Sequence, residues 1–273
     1  KFLVVIAGPT AVGKTAVAIR LAQHFKTEII SADSRQFFRE LNIGTAKPSH
    51  KDLSLVKHHL INSHSIHDDY NVGMFEADAL QCLKKIFSSH DVAILCGGSG
   101  LYINAICNGM DSLPEKDTQL RNTLNSLLNE KGIESLKKKL MTLDKEYYEA
   151  VDKANPHRII RAIEVCLLSG MKYSELRKKK KKKRPFDMIK IGIEDVREIV
   201  YEKINQRVNS MMQIGLYEEA KSLYAFRHLN SLQSVGYTEL FDYFDNKTTL
   251  EEAISLIKQH TRNYAKRQWT WFR

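Results

Sequence analysis

Two kinds of apolar pattern alternate along the chain. Contiguous apolar runs of strand length occur at Phe2–Ala7, Glu28–Ser31, Asp91–Cys96 and Phe186–Ile193, and such runs suit strands buried on both faces of a parallel sheet. Between them, apolar residues recur at helical spacing. The repeats cover Ala16–His24, Asn71–His90, and Arg197 to about Ala225 with a break near Gly215. A further helix starts within Ser234–Glu239, and a last one covers Leu250–Arg267. From Asp111 to Arg177 the pattern is almost wholly helical. Leu120, Leu124, Leu127 and Leu128 form one stripe, Ile133, Leu136 and Leu140 continue it, and His157–Leu168 carries Ile159, Ile160, Ile163 and Leu167. Trp269-Thr270-Trp271 has the composition of one more strand beginning at the end of the chain.

The turn after the first strand carries the chemistry. Gly8-Pro9-Thr10-Ala11-Val12-Gly13-Lys14-Thr15 is a G-x-x-x-x-G-K-T motif in the strand–loop–helix setting that a P-loop needs. Its backbone N–H groups and the helix N-terminus suit a di- or triphosphate. Lys14 can reach terminal phosphate oxygens, and the Thr15 hydroxyl can ligate Mg²⁺. The fold class is therefore α/β: a P-loop NTPase-like core, residues 1–110 and 186–273, with a mostly parallel sheet flanked by helices. An all-helical lobe, residues 111–185, is inserted into it.

Ligands of open α/β sheets sit beyond the carboxyl ends of the strands, which places Asp33-Ser34-Arg35-Gln36 beside the P-loop. Asp33 either caps the following helix or accepts a proton or hydrogen bond from a substrate. At its ordinary pKa it is ionised near neutrality, so its position matters more than tuning. Gly97-Gly98-Ser99 ends the Asp91–Cys96 run, where a P-loop ATPase usually has an acidic residue. That argues against a motor or a GTPase. Arg197, in the first turn of its helix, either faces an anion or makes a surface ion pair. The histidines of His50–Asp69 lack metal-site spacing and read as solvated or capping groups.

The net charge of +10 suggests a polyanionic partner, nucleic acid ahead of membrane. Lys178–Lys183 is a self-repelling run, either a solvated linker or a contact to a phosphate backbone. Tyr264-Ala265-Lys266-Arg267-Gln268-Trp269-Thr270-Trp271-Phe272-Arg273 interleaves basic and aromatic residues, which can grip phosphates and stack on bases or dock on the core. Four cysteines without C-x-x-C spacing suit a reducing, cytoplasmic compartment. No run is long enough to span a membrane, and no signal peptide is visible.

Several stretches together resemble the tRNA dimethylallyltransferases (tRNA isopentenyltransferases) of bacterial type. They are the P-loop, Asp33-Ser34-Arg35-Gln36, Asn42-Ile43-Gly44-Thr45-Ala46-Lys47-Pro48 and Gly97–Tyr102, then Asn155–Glu164, Val235-Gly236-Tyr237 and Lys266–Arg273, all in family order. The resemblance implies transfer of a dimethylallyl group from dimethylallyl diphosphate to the exocyclic amine of the adenosine just 3′ of the anticodon. Lys14, Thr15 with Mg²⁺, and Arg197 would then stabilise the diphosphate, while Asp33 takes the proton of the amine. Ser99 stands where the family more often has Thr; the hydroxyl is kept, so the resemblance implies that it keeps the catalytic role near the amine and the bridging oxygen. It also implies tRNA contacts at Asp33, Ser34, Arg35, Gln36, Ser99 and Arg121, and at His157, Arg158, Ile159, Ile160 and Arg161. Gln233, Ser234, Val235, Gly236, Tyr237, Lys266 and Arg267 complete that set. The family more often has Gln at the place of His157. The expected partners are the anticodon stem-loop and dimethylallyl diphosphate, with the chain as a monomer. Three other readings remain open: a P-loop small-molecule kinase, an adenylate isopentenyltransferase, and a non-catalytic RNA-binding protein.

Overall fold

A computed structural model describes residues 1–178 and 180–273; the expectation for the lysine run as a whole takes in Lys179, which lies outside the described residues. The chain divides into two units, Lys1–Asn108 with Lys183–Arg273, and Gly109–Lys182.

The first unit holds one five-stranded parallel sheet. Its strands are β1 (Phe2–Ala7), β2 (Ile29–Ser31), β3 (His58–His59), β4 (Val92–Gly97) and β5 (Asp187–Gly192), in spatial order β3-β2-β4-β1-β5. Each of the four apolar runs forms a strand there, but the last is not buried: β5 is at the sheet edge and is exposed or half-buried along its length. β3 was not legible, because it has only two residues, both histidines. His59 Nε2 lies 2.5 Å from Glu28 Oε2, and His58 Nδ1 bonds the Val56 carbonyl at 2.8 Å. Among the described residues no group of His, Cys, Asp and Glu side chains could hold a metal ion by itself.

Helices cover both faces. α1 (Lys14–His24) packs on the face formed by Val4, Ile6, Ile29 and Ile94. α2 (His50–Leu55) starts with a capping box from Ser49 and Asp52. α3 (Val72–Phe87) is capped by Asn71 and buries Phe75, Ala79, Leu83 and Ile86 on the other face, with α4 (Gly100–Asn108) beside it. Arg184 closes this corner. Its Nε and Nη2 donate to the Ile106 and Ala105 carbonyls at 2.8 and 2.6 Å, and Nη2 lies 2.7 Å from Glu76 Oε1. A cation on the last carbonyls of α4 complements the helix dipole.

The second unit is all helical: α5 (Thr118–Leu143, bent at Gly132 with φ 70°), α6 (Lys145–Ala150), α7 (Pro156–Ser169) and α8 (Tyr173–Leu176). The leucine stripe closes its core: Leu124, Leu136 and Leu140 pack with Tyr147, Val151, Ile159, Ile160 and Ile163. At its centre Glu164, with no exposed surface, takes Arg121 Nη2 at 2.5 Å, Arg161 Nη1 at 2.6 Å and the Asp117 N–H at 3.2 Å. A carboxylate buried that deeply is tolerated only because charge and hydrogen bonds meet both oxygens.

After β5 the chain runs through α9 (Arg197–Gln213), α10 (Leu216–Leu223), α11 (Tyr237–Phe244) and α12 (Leu250–Phe272). Gly215 in the left-handed region separates α9 from α10, as the sequence break predicts. The expected final strand at Trp269-Thr270-Trp271 is not formed. α12 continues to Phe272, because Ala265, Gln268 and Trp269 extend its buried face by one more turn. None of the described helices is long and apolar enough to cross a membrane.

Candidate active site

Parallel strands all end at the same edge, so the segments after β1, β2, β4 and β5 converge there. The register pairs Ala7 with Gly97 and with Gly192, and Ser31 with Cys96. Gly97 is required at that point: a Cβ there would lie 2.2 Å from the Ala32 carbonyl oxygen. The close approach brings Asp33, Ser99 and the P-loop into one neighbourhood.

Two cavities open on it. The first, of about 330 Å³, is lined by Thr10, Ala11, Gly13, Lys14 and Thr15 of the P-loop, by Asp33 and Gln36, and by Thr45, Ala46, Gly97, Gly98 and Arg207. The second, of about 310 Å³, is lined by Ser34 and Arg35, by Gln233–Gly236, and by Tyr264 and Arg267. Thr10, Asp33, Thr45, Ala46 and Arg207 line both. The two spaces therefore meet at one carboxylate, one guanidinium and one P-loop hydroxyl.

Asp33 Oδ1 accepts the Arg35 N–H at 2.9 Å, the hydrogen bond of a turn rather than of a helix cap. Burial raises its pKa above the ordinary carboxylate value, against the pull of the Arg35 N–H and of Lys14. The expectation of an unperturbed pKa is thus corrected: enclosure makes Asp33 a stronger proton acceptor. The Ser99 hydroxyl accepts the Ser34 N–H at 3.0 Å and lies against the phenol of Tyr264. Burial pushes the Tyr264 phenol up to about 12 and the neighbouring Cys96 thiol to about 11, so both stay protonated.

Lys14 Nζ donates to the Pro9 carbonyl at 2.6 Å, and burial lowers its pKa to about 8. A phosphate anion beside it favours the charged form. Anion binding above pH 8 therefore takes up a proton, and affinity for a diphosphate is expected to fall as pH rises through about 8. Titration calorimetry at pH 8.5 in two buffers of different ionisation enthalpy checks this. The apparent enthalpy shifts with the buffer if Lys14 takes up the proton, and equal values in both buffers contradict it.

Arg197 is not in this site. It is exposed in the first turn of α9, with its guanidinium 5.8 Å from the centre of the Trp269 ring. The arginine that lines both cavities is Arg207 of the same helix, about 15 Å further along at 1.5 Å per residue. Its Nη1 donates to Thr10 Oγ1 at 3.2 Å, and burial lowers its pKa with no acid offsetting it. The signal was present in the sequence: Val200, Ile204 and Val208 are the buried stripe of α9, and Arg207 lies three residues from Ile204 on that inward side.

Other expected contact residues are placed as follows. Arg35 donates to the carbonyls of Asn230, Ser231 and Gln233 at 2.9 to 3.1 Å, holding the loop that walls the second cavity. Gln36 Nε2 holds the carbonyls of Thr45 and Ala46 at 3.2 and 3.3 Å. Tyr237 is fully buried and donates to Glu219 Oε1 at 2.6 Å, so its side chain offers no contact surface. Glu219 also accepts the N–H groups of Asn42, Ile43 and Gly44, which fixes the Gly44–Ala46 wall. Ser234, Val235 and Gly236 line the second cavity, Lys266 is exposed on α12, and Arg267 lines that cavity. In the helical unit, His157 and Arg158 are exposed, whereas Ile159 and Ile160 point into the core and cannot present side chains to RNA. Arg121 and Arg161 share Glu164. The sequence reading missed Arg207, and it named Tyr264 and Gln268 only as members of the basic and aromatic end of the last helix, without placing them at this site.

Residues 36–273 match the sequence model of a family described as IPP transferase. A tRNA dimethylallyltransferase of Christiangramia forsetii is 53% identical over 272 residues, covering all of this chain and 90% of the relative. One of Flavobacterium johnsoniae is 49% identical, with the same coverage. Among solved structures, the tRNA isopentenylpyrophosphate transferase of Bacillus halodurans has a TM-score of 0.71 at 37% identity, over 99% of this chain and 86% of its own. A eukaryotic dimethylallyltransferase acting on tRNA has a TM-score of 0.82 at 26% identity, over 100% of this chain and 70% of its own. The chain belongs to the IPP transferase family.

Proposed function

We propose that this protein transfers the dimethylallyl group of dimethylallyl diphosphate to the N6 amine of the adenosine just 3′ of the anticodon in tRNA. The observation that carries the reading is the meeting of two cavities at Asp33, Thr10 and Arg207. A diphosphate fits the P-loop cavity, and a planar base fits the cavity walled by Tyr264 and the Gln233–Gly236 loop. The bond between the N6 nitrogen and C1 of the prenyl group forms as the C1–oxygen bond to diphosphate breaks. The amine proton passes to Asp33, and the electron pair of the broken bond stays on the diphosphate. Lys14, Arg207 and the P-loop N–H groups face the oxygens on which negative charge grows.

Magnesium suits this cavity as a companion of the diphosphate. The Thr15 hydroxyl lines it, and the ligands that no cluster of protein carboxylates supplies would come from phosphate oxygens and water. Bound there, the ion would neutralise part of the leaving group's charge.

The target base must leave the anticodon loop to enter an enclosed cavity, as in other enzymes that work on a base. The net charge of +10 supports a polyanionic partner. The enzyme would work as a monomer in the cytoplasm, since one chain lines both cavities and its cysteines are free. A pair of synthetic anticodon stem-loops tests the acceptor atom. One carries adenosine and the other inosine, which lacks the N6 amine, at the target position. Prenyl transfer to the adenosine form alone is expected, and equal transfer to both would contradict the assignment.

A further inference from the structure

Gln268 of α12 is buried, 5% exposed, and belongs to neither the P-loop nor the second cavity. Its Oε1 accepts the Thr10 N–H at 2.7 Å, and its Nε2 donates to the Gly98 carbonyl at 2.8 Å. A donor on one side and an acceptor on the other leave one orientation for the amide. Thr10 is also held by Arg207, which donates to its hydroxyl. The turn beyond it is strained, since Ala11 lies in the left-handed region at φ 66°. A residue with a Cβ keeps that conformation only where its surroundings hold it.

The same helix reaches the second cavity. Tyr264 and Arg267 line it, and positions three or four apart share one helix face, so Tyr264, Gln268 and Trp271 lie on one line. Trp271 seats that line on Gly100, where a Cβ would meet the indole at 2.2 Å. One rigid helix thus touches the base-sized cavity with one turn and the P-loop with the next.

We propose that Gln268 is a positioning residue that holds the P-loop in its phosphate-cradling shape and couples the P-loop cavity to the acceptor cavity through α12. This rests on the assignment of the P-loop cavity to the diphosphate donor. The Thr10 N–H given to Gln268 is withdrawn from phosphate, so the amide contributes shape rather than a direct contact. An acceptor base ordered against Tyr264 and Arg267 restrains α12, and with it Thr10. By linkage, the donor then tightens the acceptor by the same factor.

The test uses the full chain with Gln268→Ala and Gly98→Ala. Gln268→Ala is expected to raise the donor KM roughly tenfold, from the loss of two buried hydrogen bonds, with the acceptor KM within about twofold. Affinity for dimethylallyl thiolodiphosphate, a slow donor analogue, is expected to rise when an unmodified anticodon stem-loop is present. In Gln268→Ala that gain is expected to shrink towards none. Gly98→Ala is expected to act through the same contact, because its Cβ would lie 2.3 Å from Nε2 of Gln268. It should raise the donor KM in the wild-type background and add nothing in the Gln268→Ala background. An unchanged donor KM, equal rises in both KM values with a fall in Tm, or additive effects of the two substitutions would each overturn the proposal. Wild-type transfer, measured alongside, separates the outcomes: its absence sinks the donor assignment, whereas intact transfer with unaltered coupling sinks only the role of Gln268.

Discussion

Replacing Asp33 by Asn is expected to lower kcat by roughly 10²–10⁴-fold, the range of a positioned proton acceptor, while acceptor affinity stays within a few-fold. Asn keeps the oxygen that takes the Arg35 N–H at 2.9 Å, so the turn persists and only the basicity is lost. The same substitution is expected to raise Tm at neutral pH. Burial raises the pKa of Asp33 in the folded chain, so ionised Asp33 costs stability. The sign follows from linkage: with a folded pKa above the unfolded one, the favourable term is full below the unfolded pKa and is lost as pH rises through the folded pKa. The Tm gain of Asn over Asp therefore appears above the ordinary carboxylate range and fades below it. In the wild type, kcat/KM falls with pH on an acid limb lying above about 3.9, the unperturbed value. Retention of wild-type kcat by Asp33→Asn would remove Asp33 as the proton acceptor.

Arg207→Ala is the second large effect. Here kcat/KM for the diphosphate substrate is expected to fall by roughly 10²–10³-fold, as when one donor to a developing anion is removed. Arg207 has a neutral partner in Thr10 and loses charge stabilisation to burial, so its interaction with an anion is made in a poorly solvated place. Lys at this position would recover only part of the loss, since it cannot present two parallel N–H groups. Arg197→Ala is the matched control. Its guanidinium lies over Trp269 on the exposed start of α9, and its removal is expected to change kcat/KM by less than about threefold. A large loss at Arg197 with little at Arg207 would reverse the assignment.

That contrast shows where the sequence was and was not legible. Contiguous apolar runs marked β1 and β4, because inner strands of a parallel sheet are covered on both faces and need no polar alternation, and β5 was marked by its run although it lies at the sheet edge and is largely exposed. The P-loop and Asp33 were legible because their chemistry is local: a fixed spacing after a strand places them at one sheet edge. Arg207, Tyr264 and Gln268 were not. Their roles depend on which face of α9 or α12 turns inward, and on the packing of helices far along the chain against a loop near its start. Thr10 and Gln268 are 258 residues apart in sequence and 2.7 Å apart in space. Arg197 misled because a basic residue at a helix start is unusual enough to suggest an anion, whereas its place over the ring of the buried Trp269 accounts for it. Ile159, Ile160 and Tyr237 lie within motif stretches, yet their side chains serve the core beneath those stretches. A motif marks a segment, and burial decides which of its side chains face outward.

The most direct measurement is a transfer assay with radiolabelled dimethylallyl diphosphate and Mg²⁺, offered in parallel to unmodified tRNA with adenosine 3′ of its anticodon and to free AMP. A third reaction replaces the donor with γ-labelled ATP. Label is expected in tRNA alone, and expected to vanish with Asp33→Asn. Label in free AMP but not in tRNA, or phosphate transfer from ATP without prenyl transfer, would contradict the account.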